Sequence, residues 1–215
     1  MKWINNFSKS KTPYYIYKLN KNDRILYKAH SKLSKSIIIL DGYICIFKIF
    51  NNKRVSFLYI LTKNNIIHLY NRYLTNEYYY DLVACETSYI ISFSLDTLTQ
   101  KIKFDKSIFH DIIKAQELTL NISEIIHDIY KQKYLQNKLL QFILFNLIQF
   151  GKIKNHRVII PFYLTQNILA IILKTNKKHI NQIMIRLSKK NIYNYSSKQI
   201  IKVDHIFNLI NIFAY

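Results

Sequence analysis

Residues 164–190 read LTQNILAIILKTNKKHINQIMIRLSKK, and the rest of the chain is read outward from them. Ile168, Leu169, Ile172 and Leu173 recur at helical spacing. Thr165 stands just before them, where a hydroxyl can accept from the free amides of a helix start. Lys174, Thr175 and Asn176 interrupt the pattern and offer a second set of capping side chains. A second helix is predicted from Lys177, with Ile180, Ile183, Met184 and Leu187 at i, i+3, i+4 and i+7 on its inner face. Lys177, Lys178, Asn181, Gln182 and Arg186 lie on the opposite face, with His179 beside them. Two short helices around a three-residue break are the helix-turn-helix plan. Ile192–Tyr195, Ser196–Gln199 and Ile200–Val203 then read as a β-hairpin wing.

That second helix carries the chemistry that duplex DNA asks for. Phosphates take cations, and base edges take amide or guanidinium groups. Lys177 and Lys178 sit at the helix start, where the positive dipole end adds to the attraction for a phosphate. Asn181 and Gln182 suit adenine, while His179 or Lys178 suits guanine or a phosphate. An ordinary amphipathic helix with a solvated basic face is the plainer alternative.

Upstream, Val158–Pro161 reads as a short strand and Leu135–Phe150 as an apolar core helix, ended by Gly151 as a C-cap. Leu118, Ile122, Ile125 and Ile129 recur at 4, 3 and 4, a narrow stripe of the a/d type. The stripe fits either a helix packed on its own domain or a seam between two copies of the chain. From Tyr14 to Leu95 the text turns into short β-branched and aromatic runs. The candidate strands are Arg24–Tyr27, Ser36–Leu40, Tyr43–Ile49, Val55–Leu61, Ile66–Tyr70, Tyr79–Ala84 and Tyr89–Phe93. Asp41-Gly42 and Asn51-Asn52-Lys53 read as hairpin turns between them. Seven short strands at regular spacing imply a sandwich or small barrel, so the fold class is α+β. The expected domains are 1–104 (β-sandwich), 105–134 (the stripe helix, a dimerisation helix on the two-copy reading) and 135–215 (winged helix-turn-helix).

Charge follows the same division. Of 215 residues, 32 are Lys or Arg and 12 Asp or Glu, a net charge of +20. Residues 41–128 hold nine basic and ten acidic side chains, whereas residues 129–203 hold fourteen basic ones and no acid. With 50% hydrophobic and 15% aromatic residues, the chain is too apolar for a disordered basic tail. Gly42 and Gly151 are the two glycines, too few for a Walker loop or a dinucleotide fingerprint. Two cysteines, Cys45 and Cys85, make neither a disulfide scaffold nor a zinc site by themselves. The seven histidines form no pair at metal spacing, and no nucleophile–base arrangement is visible, so no enzyme reading survives. The longest apolar run, Leu139–Phe150, has 12 residues and falls short of the roughly 18 that span a bilayer. MKWINNFSKSKTPYY lacks a continuous apolar core, so secretion is not expected. Ile, Asn, Lys, Tyr and Phe are the residues of AT-rich codons, which points to an organelle or bacterial genome.

The block LTQNILAIILKTNKKHINQIMIRLSKKNI resembles the helix-turn-helix of the cyclic-AMP receptor protein/FNR (CRP/FNR) family of winged-helix regulators. SIIILDGYICIF (36–47) looks like that family's sandwich hairpin, and the stripe helix stands where its dimer helix would. The resemblance covers residues 15–203. It implies a cyclic-nucleotide-binding-like jelly roll and a homodimer joined through Leu118, Ile122, Ile125 and Ile129. It also implies binding to a palindromic double-stranded operator through Thr165, Lys177, Lys178, His179, Asn181, Gln182 and Arg186, with RNA polymerase as a partner and no membrane. Within the family the chain is most similar to the NtcA branch of cyanobacteria and red-algal plastids. That likeness implies an activator of nitrogen-related genes in the chloroplast stroma, plastid-encoded, with a bacterial cytoplasm as the alternative.

Several positions depart from the family pattern. Lys177 and Gln182 occupy the places of two base-reading arginines, and lysine offers a point charge where arginine offers a planar fork. Lys174 replaces the usual turn glycine, at a cost of about 1 kcal/mol if its φ is positive. IIHLYNRY (66–73) and YYYDLVA (78–84) lack the Gly-Glu and Arg-Ser pairs of the cyclic-nucleotide cassette, so cyclic AMP is not an expected ligand. The NtcA branch binds 2-oxoglutarate, and Tyr78 and Thr119 stand in place of its carboxylate-binding arginines while Glu124 matches. His68, Arg72 and Lys63 are the substitute cations within reach of that region of sequence. Two other readings stay open: a basic RNA-binding or ribosome-associated protein, and a relative that keeps the fold without effector control.

Overall fold

The computed structural model describes residues 2–27, 35–69, 77–99, 106–154, 157–189, 194–195 and 201–203. The chain divides into two units, Met1–Glu124 and Ile125–Tyr215. Arg72 and the wing turn Ser196–Gln199 lie outside the described residues.

In the first unit a short helix α1 (Lys2–Lys9) precedes strands β1 (Tyr14–Leu19), β2 (Arg24–Tyr27), β3 (Lys35–Asp41), β4 (Ile44–Phe50), β5 (Val55–Leu61), β6 (Ile66–Leu69), β7 (Tyr78–Ala84) and β8 (Ser88–Phe93). They form two antiparallel sheets, β1-β8-β3-β6 and β2-β7-β4-β5. The continuous apolar run of β3 fits a strand covered on both faces. Ile38 packs in one cluster with Phe7 of α1 and with Ile108 and Ile112 of α3 (Lys106–Lys131). Ile37 and Ile39 point to the other face and are buried as well. Helix α2 (Leu95–Thr99) adds Leu98 to the same cluster.

Two elements of this unit go beyond the sequence expectation. Trp3 and Phe7, four residues apart, fold α1 onto the first sheet, with the Phe7 ring 4.8 Å from that of Phe93. The Trp3 indole N–H donates to Asn64 at 3.1 Å. Strand β1 shows no alternation because it is the edge of its sheet, with Tyr15, Ile16 and Tyr17 all exposed. Asp41-Gly42 is not a hairpin turn. β3 pairs with β6 and β8, and β4 with β5 and β7, so Gly42 is the corner between the two sheets. Its φ is +91°, and a Cβ there would collide with Ser88 at the start of β8. Asn51-Asn52-Lys53 does join a paired hairpin, with Lys53 at φ 62° and Asn52 Oδ1 accepting from the Arg54 amide.

Helix α3 runs from the first unit into the second, and it splits the expected stripe. Ile122 and Ile129 are buried, while Leu118 and Ile125 are 43% and 44% exposed. The inner line is the regular 4-3 series Ile108, Ile112, Ala115, Thr119, Ile122, Ile126 and Ile129, all buried. Ile122 and Ile129 therefore belong to the chain's own interior and are not side chains that a second copy can reach. The boundary between the two faces passes through the middle of the stripe.

The second unit continues with α4 (Leu135–Phe150), β9 (Lys152–Lys154), β10 (Arg157–Ile159), α5 (Gln166–Ile172), α6 (Lys177–Lys189), β11 (Asn194–Tyr195) and β12 (Ile201–Val203). The strands make one antiparallel sheet in the order β11-β12-β10-β9. Pairing of Asn194 with Lys202 and of Tyr195 with Ile201 forms the base of the wing. Gly151 ends α4 without the expected left-handed turn, at φ −57° and ψ 135°. Space is what requires glycine there, since a Cβ would collide with the Leu147 carbonyl and with Val158.

Candidate nucleic-acid interface

Local hydrogen bonds set the two helices of the helix-turn-helix. Thr165, extended at φ −68° and ψ 156°, caps α5 by accepting from the Ile168 amide at 3.1 Å. Its hydroxyl oxygen thereby serves the helix start as an acceptor, which leaves the O–H to donate elsewhere. Asn176 does the same for α6, its Oδ1 accepting from the His179 amide at 2.9 Å. Between them the chain turns through Lys174 at φ 54°, the strained conformation that a glycine would adopt freely. The amide of Thr175 closes the turn on the Ala170 carbonyl at 2.9 Å. Lys174 Nζ lies 4.7 Å from the centre of the Tyr130 ring, a cation–π contact that offsets part of the strain.

Helix α6 seats Ile180, Met184 and Leu187 in the core, which fixes what its other side presents. Lys177, Lys178, His179, Asn181, Gln182, Arg186 and Lys189 are all exposed. At 100° per residue, Lys178, Gln182, Ile185 and Lys189 fall on one outward line. Lys177 and Asn181 flank it on one side, His179 and Arg186 on the other. Two of the sequence candidates are already engaged. Asn181 accepts from the Gln166 amide group at 3.0 Å, tying α6 to α5, and His179 Nδ1 lies 3.4 Å from the Thr175 hydroxyl. Ile185, 48% exposed in the middle of the basic line, escaped the sequence reading. An apolar side chain there suits a thymine methyl. Its i, i+3 relation to Gln182 was the available signal.

The residues considered for an effector are dispersed in the first unit. His68 is hydrogen-bonded to Ser36 at 2.7 Å, and burial lowers its pKa against the opposing influence of Gln116. The imidazole is neutral at pH 7 and does not supply the cation a carboxylate asks for. Thr119 is consumed by the backbone: it accepts from the Ile66 amide at 3.0 Å and lies 2.8 Å from the Ile66 carbonyl. Glu124 and Lys63 are exposed. A group that the sequence did not single out is Lys48, whose Nζ sits 3.5 Å from the centre of the Tyr78 ring. Beside it the Tyr80 phenol is pushed up to about 12, by burial first and then by Tyr78 and Tyr59. Lys48 is the lone cation of the strand ICIFKIF, the one trace it leaves in the sequence. Asp81, buried on β7, forms an ion pair with Arg24 at 2.7 Å, though neither oxygen receives an aligned hydrogen bond among the described residues. Burial raises the Asp81 pKa and Arg24 lowers it, burial being the larger influence. Among the described residues there is no group of three metal-ligating side chains and no helix long and apolar enough to cross a membrane.

A two-sheet β unit, a long helix and a winged helix-turn-helix, in that order along the chain, is the plan of a CRP/FNR-type regulator. Solved structures with this fold bear that out. A CooA mutant from Carboxydothermus hydrogenoformans superposes with a TM-score of 0.73 at 12% identity, over 96% of this chain and 89% of that one. A CRP/FNR-family transcriptional regulator of Thermus thermophilus superposes with a TM-score of 0.70 at 12% identity, over 94% of this chain and 99% of that one. In sequence, the chain is 23% identical over 208 residues to ycf28 of Porphyra purpurea, a proposed HTH-type transcriptional regulator, covering 95% of this chain and 84% of the relative. No family model matches the sequence. The fold of this chain is that of the CRP/FNR regulators.

Proposed function

We propose that the chain is a sequence-specific DNA-binding transcriptional regulator that acts as a homodimer, with α6 in the major groove. The observation that carries this reading is the capped helix α6, whose core side is fixed by Ile180, Met184 and Leu187 and whose outward line is Lys178, Gln182, Ile185 and Lys189. Lys177, Lys178 and Arg186 are suited to phosphates, and Gln182 to a base edge. Asn181 and Thr165 hold the helix pair in place through Gln166 and Ile168. The relative in Porphyra purpurea and the fold neighbours support a regulator; the red-algal relative and the Asn-, Ile- and Lys-rich composition support a plastid location.

The dimer is assigned to the exposed side of α3, where Leu118 and Ile125 lie seven residues apart. Contact with RNA polymerase and control of nitrogen-related genes are part of the proposal through the sequence resemblance alone. The effector side differs from a standard 2-oxoglutarate sensor, since the Thr119 hydroxyl is spent on Ile66 and Tyr78 is stacked on Lys48.

Footprinting on duplexes selected from a random pool tests the reading. The expected result is two protected half-sites centred about 34 Å apart on a partly palindromic sequence. A single half-site at saturation overturns the dimer, and preferential competition by structured RNA of equal length overturns the DNA reading.

A further inference from the structure

The most unusual pair of side chains outside the DNA-facing unit is Cys45 and Cys85, the only cysteines of the chain. They are 40 residues apart in sequence, yet their Sγ atoms lie 3.0 Å from each other. Sheet register brings this about. Cys45 on β4 pairs with Val83 on β7, and Cys85 follows two residues later, so strand alternation returns it to the same face, diagonally across from Cys45. The Cys85 amide donates to the Tyr43 carbonyl at 2.8 Å, which holds the end of β7 against the start of β4. The sulfurs need to approach by about 1 Å to reach bonding distance.

We propose that Cys45 and Cys85 are a dithiol site that closes to an intramolecular disulfide by exchange with a disulfide of the glutathione class. The two thiols are not equivalent. Cys45 is buried and Cys85 partly exposed, so an oxidant meets Cys85 first. The hydrogen bond to Cys85, together with burial, raises the Cys45 pKa well above its usual value, which keeps the proton on Cys45. The Cys85 sulfur, the accessible one of the two, attacks one sulfur of the incoming disulfide and its proton is released. That S–S bond breaks and one thiolate leaves with a proton. Cys45 then loses its proton and attacks Cys85 Sγ; the mixed disulfide breaks, and the second thiolate leaves protonated. Two protein thiols are oxidised and one disulfide is reduced to two thiols, with two electrons and two protons transferred. The product ties β4 to β7, the two inner strands of the second sheet.

Both thiols are to be followed in the full chain across glutathione buffers of increasing oxidised-to-reduced ratio, quenched with acid and then alkylated. The expected result is loss of both thiols in one step, a monomeric product about 2 Da lighter, and a tryptic cross-link between residues 36–48 and the peptide carrying Cys85. In the same series Cys45→Ser is expected to accumulate a glutathione adduct at Cys85, and Cys85→Ser to keep Cys45 free. A lasting glutathione adduct at Cys85 of the unsubstituted protein, a cross-link between two chains, or two free thiols in oxidised glutathione alone overturns the proposal. The cross-linked peptide is read on the unsubstituted protein, so the result does not depend on either variant folding.

Discussion

The two units handle charge in opposite ways. In the first, charges meet partners: Lys2 pairs with Asp111 at 2.6 Å, and Arg24 reaches the buried Asp81 at 2.7 Å. In the second, residues 129–203 contain no carboxylate for their fourteen cations, and Lys131 forms its ion pair with Asp128 just upstream, at 2.9 Å. A charge with an internal partner contributes to one unit's folding, whereas a charge without one remains available to an outside anion. Lysine-rich composition alone does not distinguish these cases. The location of the acids does.

The largest expected effect breaks the first half of the comparison. Arg24→Ala leaves the Asp81 carboxylate buried and alone. It should cost about 3 kcal/mol at pH 7, the low end of the range for breaking buried pairs, because Arg24 is itself 60% exposed. The loss has a defined pH dependence. Asp81 has a raised folded pKa, so its contribution to stability falls as pH rises from the ordinary carboxylate range, about 4, through the folded value. Removing Arg24 raises that folded value further. Urea unfolding at pH 4.5 should therefore show a smaller penalty than at pH 7, and an equal penalty at both would place the role of Arg24 elsewhere.

The second half is sharpened by two substitutions on α6. Gln182→Ala should change which base is preferred at one operator position, by about 1–3 kcal/mol of discrimination. Lys177→Ala should weaken all duplexes alike and reduce the slope of log affinity against log salt by about one unit. Titrations of matched and mismatched duplexes at several salt concentrations separate the two; a change of preference in the lysine variant would make Lys177 a base-reading residue. The smallest effect belongs to the turn. Lys174→Gly should stabilise the chain by up to about 1 kcal/mol, less the lost contact with Tyr130, read as a higher thermal midpoint at unchanged operator preference.

The helix-turn-helix was legible because its determinants are local. Thr165, Asn176 and the spacing of Ile180, Met184 and Leu187 act within a few residues, and each stands where the sequence puts it. Features that depend on distant partners were harder to read. The inner face of α3 was hidden by Ala115, which is too small to mark a stripe, and by Thr119, which is polar. Asp41-Gly42 has hairpin chemistry, but strand partners far along the chain make it a corner between sheets. Lys48 over Tyr78 and the Cys45–Cys85 approach arise from register, which no short window contains.

The glycines of this chain separate two kinds of constraint that are usually confounded. Lys11, Asn22, Lys53, Asn64 and Lys174 all take positive φ with full side chains, so torsional strain alone did not reserve those sites for glycine. Gly42 and Gly151 are the two positions where an added carbon would run into another part of the chain. Under a composition this poor in glycine, strain of about 1 kcal/mol is evidently survivable at a turn, whereas overlap of atoms is not. The two glycines thus mark sites where an added carbon forces neighbouring atoms to move, and the five positive-φ residues found among the described ones mark where stability remains open to improvement.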